Sequence, residues 1–391
     1  MLLPVKTMQK VSTPIDSLKN GVKFCWHRSP DYGNLLPEWN ELLKRSKNLN
    51  VLYQSPEWFG HLLNTEADDH LHLGLAKDAD GKLLGVLPLK VGTFPLNFEV
   101  SARSLFKIPF KSTFLLGSQP LLADNESIYD EVLNEIEKSF SDCTCIYIDS
   151  LTKDSFFWRY LKSSSKVKNQ YWVYLPEGFR PFHYLELNKT FEDFLSKFKS
   201  KKRGNLRRQL KNLQEFGQTD IELRCIRLKE QIPEFLKAAE SIAGKSWQSR
   251  RIGPRIKNDI VYNQKLTDLA DRGILRSYLL VCGVPCAFII GYQFCGVYHY
   301  VEIAYDQKFY EHSPGTALLY LMVEDLFRSD SPQWLNFGIG DAHYKQEFSN
   351  QHAEDASILL LRKNLHNRSV MLLHCLFYSL KKIVKKILYK I

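Results

Sequence analysis

The residues with the clearest chemical potential lie around position 314. Ser313, Pro314, Gly315 and Thr316 stand between a strand-like run and an apolar segment with helical periodicity. Serine is a favourable N-cap and proline fits the first helical turn, so the spacing predicts a helix start. The N–H groups and positive dipole end of such a start bind anions, and Gly315 lets a phosphate approach the main chain. An ordinary capped helix accounts for the same residues, and both interpretations stay open at this point.

A glycine-rich strand end supplies a second group of candidates. Residues 335–341 read Leu-Asn-Phe-Gly-Ile-Gly-Asp, and Tyr344, Lys345 and Phe348 follow. The end of a strand between glycines is a suitable place for an exposed reactive group, here the carboxylate of Asp341. Two lone histidines are further acid–base candidates: His299 and His343.

The elements that must position these residues follow from periodicity and turn signals. In the second half, a long basic helix over 191–216, with a possible interruption at Gly204, precedes a strand over 221–226 and helices over 231–247 and 260–272. Three antiparallel strands follow (274–282, 285–294 and 297–305), then a helix from about 314 to 328 and strands over 334–337 and 357–362.

The first half repeats part of this order. A helix starts at Ser55-Pro56-Glu57, a hairpin covers 71–76 and 83–89, and strands are expected at 114–116 and 145–149 around a helix over 126–140. Each half thus holds a strand–turn–strand unit followed by a helix, which permits two related domains. A segment with two prolines and one glycine, 175–181, predicts the linker between them.

Several segments resemble the GNAT acyltransferases. Residues 312–317 are similar to the pyrophosphate loop of that superfamily, with His312 where the family has Gln or Arg. Together with the 335–341 run and the basic stretch 201–208, the loop resembles the CelD-like branch, named after a bacterial cellulose-biosynthesis protein. Asn336 stands where that branch usually has Asp, so no catalytic role is assigned to it.

The resemblance implies an α/β (mixed α+β) fold with two GNAT-like domains, each a mostly antiparallel mixed sheet flanked by helices, as in Fem-type peptidyl transferases. The expected divisions are a degenerate N-terminal domain over 1–175, a catalytic domain over 176–362 that binds acyl-CoA, and a basic amphipathic helix over 363–391.

The resemblance also implies roles for individual residues. A carboxylate with a pKa raised by partial burial would serve as the base, with Asp341 first and Glu302 second, although a solvent-facing strand residue explains Glu302 as well. Tyr344 would protonate the departing thiolate, or simply pack with its hydroxyl bonded. The remaining expected contacts are Ser313, Gly315, Thr316 and Ala317 to CoA, the backbone of Ile303 and Tyr305 to the thioester carbonyl, and Lys345 and Arg207 to substrate.

Charge is concentrated in two segments. The chain has 53 basic and 43 acidic residues, and sixteen of the basic ones lie in 197–211 and after Asp355, where no acid occurs. The helix over 197–211 carries an apolar stripe at Leu206, Leu210 and Leu213. Its cations would contact CoA, an anionic glycan, tRNA or lipid headgroups, or form a solvated face. No aromatic residues alternate with them, so nucleic acid is not favoured.

The C-terminal segment predicts a basic amphipathic helix. Its apolar stripe consists of Leu373, Phe377, Leu380, Ile383, Val384, Ile387, Leu388 and Ile391, and its opposite side of Lys381, Lys382, Lys385, Lys386 and Lys390. Such a helix suits an anionic membrane surface. Docking on the protein body with a charged outer face is the alternative.

Targeting and cysteine usage place the protein in a reducing compartment. Residues 1–10 do not read as a signal peptide. The uncharged stretch 277–301 is long enough to cross a bilayer, but its turn signals predict three strands instead. The eight cysteines show no CxxC or zinc spacing, which predicts small buried apolar residues, and no metal site is expected. The expected location is cytoplasmic, with peripheral attachment to the inner face of the plasma membrane.

These observations lead to one functional expectation and two alternatives. The expectation is an acyl-CoA-dependent N- or O-acyltransferase, specifically an acetyltransferase, acting on a polysaccharide or cell-envelope precursor. The first alternative is a Fem-type transferase that takes aminoacyl groups from tRNA. The second is a catalytically silent accessory protein of exopolysaccharide or cellulose biosynthesis.

Overall fold

A single mixed sheet runs through the whole protein. The computed structural model describes residues 22–27, 32–65, 70–100, 103–247, 249, 253 and 255–388. The strands in this part are β1 Lys23–His27, β2 Leu71–Lys77, β3 Leu83–Val100, β4 Arg103–Leu115, β5 Leu121–Leu122, β6 Cys145–Thr152, β7 Tyr171–Tyr174, β8 Arg180–Glu186, β9 Ile221–Ile226, β10 Ser277–Cys282, β11 Val284–Phe294, β12 Val297–Tyr305, β13 Trp334–Ile339 and β14 Gln351–Arg362.

Helices flank the sheet on both faces. They are α1 Leu36–Arg45, α2 Pro56–Thr65, α3 Glu126–Ser139, α4 Phe156–Ser163, α5 Ser165–Gln170, α6 Phe191–Ser196, α7 Ser200–Gly217, α8 Ile232–Lys245, α9 Ile260–Asp271, α10 Pro314–Arg328, α11 His343–Phe348 and α12 Leu365–Leu388. Apolar cores fill the space between sheet and helices in each half. The predicted fold class, a mostly antiparallel mixed sheet flanked by helices, is confirmed.

The strand order is β1-β2-β3-β4-β6-β14-β8-β13-β12-β11-β10-β9, with β5 beside β3 and β7 beside β14. Among the described pairs only β4–β6 and β12–β13 are parallel. In each half an antiparallel meander (β2-β3-β4 or β10-β11-β12) is followed by a helix (α3 or α10) and by the strand parallel to the meander's last member. The repeated strand–turn–strand–helix pattern therefore recurs as the same local topology, while the domain boundaries stay a prediction.

Strand β14 connects the halves. Its first residues pair with β8, and its later residues pair with β6 and β7 of the first half. The last strand thus begins at Gln351, six residues before the predicted start at 357. Its first residues are polar, and they belong to the strand because their backbone groups pair with β8.

Most predicted elements are confirmed, with differences at their ends. The basic helix is interrupted at 197–199, not at Gly204, because Lys199 adopts an extended conformation before α7. Lys197 donates to the carbonyl oxygens of Phe348 and Ser349 at 2.8 and 3.1 Å, which holds this break in place. The stretch 277–301 forms strands as predicted, and no described helix has the length and apolar character needed to cross a bilayer.

The cysteines partly follow the prediction. All eight are free thiols; Cys143, Cys145, Cys282 and Cys286 are buried, whereas Cys295 and Cys375 are exposed. Within the described residues no group of three or more His, Cys, Asp or Glu side chains is placed to hold a metal ion.

One carboxylate joins α2 of the first half to α9 of the second. Asp268 accepts from Asn64 Nδ2 at 2.7 Å and from Arg272 Nε at 2.8 Å, and lies 2.7 Å from Nδ1 of the buried His61. Since α2 carries Trp58, a wall of the cavity described below, this cluster fixes that wall against the second half.

We expect Asp268→Ala to lower the free energy of unfolding by about 2 kcal/mol, because it leaves the buried His61 and the half-buried Arg272 without their acceptor. Urea denaturation at pH 7 measures the change. The matched control is Asp271→Ala, three residues further on α9, whose exposed carboxylate pairs only with Lys229 and should cost less than about 0.5 kcal/mol. Equal losses in the two variants would contradict the assignment.

Candidate functional site

The candidate site begins where the parallel strands separate. Val297–His299 of β12 pair with Trp334–Asn336 of β13, after which β12 continues beside β11 and β13 beside β8. In the first half, β4 and β6 pair over Ser112–Leu115 and Cys145–Ile148 and then also part. Parallel strands that diverge leave an opening in the sheet that side chains of the strands do not fill.

Both openings lead into one cavity of about 540 Å³. It is bounded by the ends of β4, β6, β12 and β13, by the start of β8 and by the region around α2. Its aromatic lining residues are Tyr53, Trp58, Phe114, Tyr147, Phe182 and Tyr300, and its polar ones include Asn50, Lys90, Asp149, Ser150, Arg180, His299 and Asn336. Neither half could form this cavity alone.

Asn336 holds the edge of the opening. Its Oδ1 accepts from the Gly338 N–H at 2.7 Å, and its Nδ2 donates to Asn50 Oδ1 of the first half at 3.2 Å. Gly338 lies at φ +70°, a left-handed conformation that glycine adopts without strain. The Asn336 amide is thus a buried structural bridge between the halves.

Ser150 and Asp355 form a polar pair at the floor of the cavity. Ser150 lines the cavity and donates to Asp355 Oδ2 at 3.0 Å across the β6–β14 pair. It lies at φ +53°, beside a register shift in which two residues of β6 oppose one of β14. Such bulges re-aim side chains and are common next to active sites.

Asp355 is 2% exposed, and its Oδ1 has no hydrogen-bond partner in the described residues. Burial raises its pKa to about 6, against the lowering effect of bonds from Ser150 and Thr152. Asp149 lies nearby and raises the pKa further. Arg180 is its register partner on β8, but the guanidinium pairs with Glu177 and leaves Nε unpartnered.

His299 has a different character. It is 3% exposed, contacts Tyr53 edge to face, and its Nε2 has no partner among the described residues. Burial lowers its pKa to about 3, so the ring is neutral at pH 7. Asp355 Oδ1, Arg180 Nε and His299 Nε2 are therefore three buried polar atoms, at or beside the cavity, that a polar ligand would satisfy.

The predicted anion site lies at the first turn of α10, beside the end of β12. Ser313 is at φ +53° and does not cap through its side chain; its hydroxyl accepts from Gln209 of α7 at 3.2 Å. The N–H groups of Thr316 and Ala317 both donate to the Ser313 carbonyl at 3.1 Å. Among the described residues, none accepts the Gly315 N–H, and a Cβ added there would lie 3.3 Å from the Tyr305 ring.

Of the predicted catalytic residues, Glu302 lies close enough to Tyr344 to raise the pKa of its hydroxyl, whereas Asp341 is not among the residues that line the cavity. Asp341 is exposed and bonded to Gln346 at 2.6 Å and His183 at 3.1 Å, and these bonds lower its pKa instead of raising it. Glu302 is held by Arg255 at 3.1 Å on the side of α8, in a separate small pocket. The expectation of a partly buried carboxylate with a raised pKa therefore fits Asp355 and not Asp341.

The other predicted residues are distributed around the opening. Tyr344 packs against Tyr300 and Phe337, and burial raises its pKa. Lys345 donates to the Ile339 carbonyl at 2.7 Å, and burial, with Arg180 nearby, lowers its pKa to about 8. Arg207 is exposed on α7 near Tyr320 of α10; burial raises the pKa of the Tyr320 hydroxyl, and the Arg207 charge opposes that rise. His343 pairs with Glu347 at 3.3 Å at the surface.

Sequence reasoning missed Ser150, Asp355 and Arg180. The available signal was an acid at the start of an apolar strand, which is too common to single out Asp355. Only the pairing of β14 with both β6 and β8 brings the three residues to one place.

Comparisons with known proteins place this geometry in a known fold. Residues 200–346 match the acetyltransferase (GNAT) domain family. A search of curated proteins found no match. Among solved structures, FemX is similar over 87% of this chain and 97% of its own, with 12% identity and a TM-score of 0.59.

Two other solved structures show the same arrangement. A tandem GNAT protein from the clavulanic acid biosynthesis pathway covers 87% of this chain and 98% of its own, with 11% identity and a TM-score of 0.50. The C-terminal domain of a putative lysylphosphatidylglycerol synthetase from Agrobacterium fabrum covers 88% and 96%, with 10% identity and a TM-score of 0.51. At these identities the similarity establishes a GNAT-like fold; the CelD-like branch stays a prediction.

The raised pKa of Asp355 predicts a pH-dependent stability. Its native pKa of about 6 lies above the ordinary value near 4, so the ionised form is disfavoured in the folded state. The charge therefore lowers stability fully above pH 6, and this loss disappears as the pH falls towards 4. We expect Asp355→Asn to raise the free energy of unfolding by about 2 kcal/mol at pH 7.5.

Urea denaturation of both proteins between pH 4 and 8 measures this difference, which should shrink towards pH 4. The control is Glu354→Gln, the neighbouring exposed carboxylate, for which no such rise is expected. A destabilised Asp355→Asn at pH 7.5 would show that the carboxylate serves the fold.

Proposed function

We propose that the protein transfers an acyl group, specifically acetyl, from acyl-CoA to an amine or hydroxyl of a polysaccharide or other cell-envelope precursor. The observation that carries the proposal is the separation of β12 from β13 beside the first turn of α10, where the Gly315 N–H has no acceptor among the described residues. The GNAT match covers these elements.

The donor would lie along α10 and enter the sheet opening. A phosphate of CoA would accept from the Gly315 N–H and benefit from the positive end of the helix dipole. The hydroxyls of Ser313 and Thr316 and the cations of α7, Arg207 among them, lie on the same side. The backbone at Ile303 and Tyr305 would face the thioester carbonyl.

The acceptor would occupy the cavity between the halves. Aromatic rings provide flat apolar walls, and the unpartnered Arg180 Nε and His299 Nε2 provide polar contacts at fixed positions. This combination suits a sugar ring with polar substituents better than a wholly apolar molecule. Lys345 would contact an acidic group of the acceptor at the rim.

Proton transfer would run through Ser150 and Asp355. The acceptor N–H or O–H gives its proton to Ser150 Oγ, which passes its own to Asp355 Oδ2, as the new bond to the carbonyl carbon forms. The C–S bond then breaks, and Tyr344 protonates the leaving thiolate. Asp355 releases its proton to solvent through Ser150, and solvent reprotonates Tyr344. A base with a pKa near 6 is well matched to work near neutral pH.

The proposed place of action is the cytoplasmic side of the plasma membrane, with peripheral attachment through α12. Acyl-CoA and the precursors of surface polysaccharides meet there, and the C-terminal segment carries eight cations and no acid after Asp355.

A tRNA-borne aminoacyl donor is the second candidate. The observation in its favour is the charge of α7. This helix has one acidic residue and several basic ones, and its outer face is exposed beside the first turn of α10. The α7 stripe of Leu206 and Leu213 is buried as predicted, so these cations point away from the core.

We expect Gly315→Leu to weaken CoA binding at least tenfold, because the added side chain covers the free N–H and presses on Tyr305. Isothermal titration of the full chain with CoA and acetyl-CoA measures this. The control is Gly244→Leu, a helical glycine with open space around it, which should bind normally. A wild-type protein that binds no CoA would contradict the proposal. In that case, nuclease-sensitive RNA in the purified protein would favour the second candidate. The absence of any bound ligand would favour an accessory role.

We expect Asp355→Asn, Ser150→Ala and Tyr344→Phe each to lower kcat at least tenfold, about 1.4 kcal/mol in the barrier. The assay is thiol release from acetyl-CoA with a panel of amino sugars and sugar nucleotides. Asp355→Asn should also remove the fall in rate below pH 6, since that fall reports protonation of the base. Glu354→Gln is the control with unchanged rate. If Asp341→Asn lowers kcat more than Asp355→Asn does, Asp341 and not Asp355 is the general base.

A further inference from the structure

The C-terminal helix docks through a side that its sequence does not favour. Val370 and His374 are buried, and Phe377 and His374 contact Phe98 of β3 edge to face. His374 Nε2 and the Tyr378 hydroxyl reach the Asn97 carbonyl at 3.2 and 3.4 Å, and Lys381 donates to the Glu99 carbonyl at 2.8 Å. The helix is thus attached to the β3–β4 hairpin by a mixed polar and aromatic side.

This docking leaves most of the apolar stripe in solvent. Of the predicted stripe, Phe377 packs against the body, whereas Leu373, Leu380, Ile383 and Val384 are exposed; Ile387 and Leu388 have side chains, and Ile391 its whole structure, outside the described part. Leu372 and Leu376 join the exposed set. Leu376 and Leu380 are 63% and 61% exposed. One side of the helix therefore docks on the protein body, and the other side is apolar and unpartnered within the described residues.

The end of the β3–β4 hairpin extends this apolar surface. Val100, Leu105 and Phe106 are exposed there, Leu105 by 60%. Phe106 stacks on Phe98 with ring centroids 4.2 Å apart, and Phe98 contacts Phe377. The hairpin end and the last turns of the helix are therefore adjacent. We call the two sets together the apolar edge: Val100, Leu105, Phe106, Leu372, Leu373, Leu376, Leu380, Ile383 and Val384.

Exposed cations lie on the same two elements as the apolar edge. Lys107 on β4 and Lys382 on α12 are exposed, and the sequence continues with Lys385, Lys386 and Lys390. A contiguous group of exposed apolar side chains such as this one marks an interaction site. Two copies of the chain joined here would bring two strongly basic segments together at a Coulombic cost, whereas anionic lipid headgroups complement them.

We infer that the apolar edge is a membrane-docking surface, in which the hairpin end and α12 together insert into the headgroup region of an anionic bilayer. Leucine and phenylalanine side chains bury among the first acyl carbons, and the lysines pair with lipid phosphates. The inference extends the peripheral attachment proposed above and does not depend on acyl transfer. It differs from attachment by the helix alone, because it requires the hairpin.

Substitutions on the outer face test this surface better than deletion of the helix. Truncation after Lys363 would also uncover Phe98 and remove the partners of Asn97, so a loss of binding would be ambiguous. Two outward pairs avoid this: Leu376→Gln with Leu380→Gln on the helix, and Val100→Gln with Leu105→Gln on the hairpin, which leaves the Phe98–Phe106 stack in place. The control pair is Ile260→Gln with Val261→Gln, equally exposed on α9.

The measurement is co-sedimentation of the full chain with extruded vesicles of phosphatidylcholine containing 30% phosphatidylglycerol, or of phosphatidylcholine alone, at low and high salt. We expect the wild type to bind the anionic vesicles, with weaker binding at high salt and none to neutral vesicles. Each outward pair should weaken binding at least tenfold, and the control pair should not. Circular dichroism and CoA titration, unchanged in all variants, separate this result from misfolding and from failure of the transferase proposal.

Other outcomes would overturn the inference. These are no binding by the wild type, equal binding to neutral vesicles, or a loss caused by the helix pair but not by the hairpin pair. A dimer in analytical ultracentrifugation that both outward pairs dissociate, in a protein that does not bind vesicles, would assign the surface to a second copy of the chain.

Discussion

Strand β14 is hydrogen-bonded to β6 of the first half along one edge, and along the other edge to β8 of the second half and then to β7 of the first. Because β8 and β6 are both its neighbours, the two halves share one continuous sheet, and the places where their parallel strands separate face a common space. Backbone ladders are stiff and fix register residue by residue, so the cavity's two walls cannot shift independently. The Asn50–Asn336 hydrogen bond and the Asp268 cluster add side-chain contacts that also hold the two halves together.

The chemistry of the cavity follows from how this junction excludes water. Burial disfavours charge, which raises the pKa of Asp355 and lowers that of His299. At the exposed strand end, by contrast, hydrogen bonds to Asp341 lower its pKa. A carboxylate that weakens the fold when ionised and lies under a cavity-lining hydroxyl is more readily explained by proton transfer than by stability.

The same sheet that builds the cavity also extends beyond the core as the long β3–β4 hairpin. This extension gives α12 a place to dock, and docking orients the helix so that its leucines and those of the hairpin form one edge. The cavity and the apolar edge thus belong to one framework, so a surface that the edge contacts would lie at a fixed distance and angle from the cavity.

The sequence by itself determined the local features: the helix starts at 56 and 314, the meander over 277–305, the buried stripe of α7, and the amphipathic character of α12. Periodicity, caps and turns depend on residues that are close together in the chain, so they can be recognised in the sequence alone. The GNAT-type fold followed from residues that stand close together in the chain. Tertiary structure alone decided that Ser150 meets Asp355, 205 positions away, that Asp341 and Glu302 lie apart, and which side of α12 faces the hairpin. Strand pairing over long separations and competition between several possible helix faces set these outcomes, and neither leaves a local pattern in the chain.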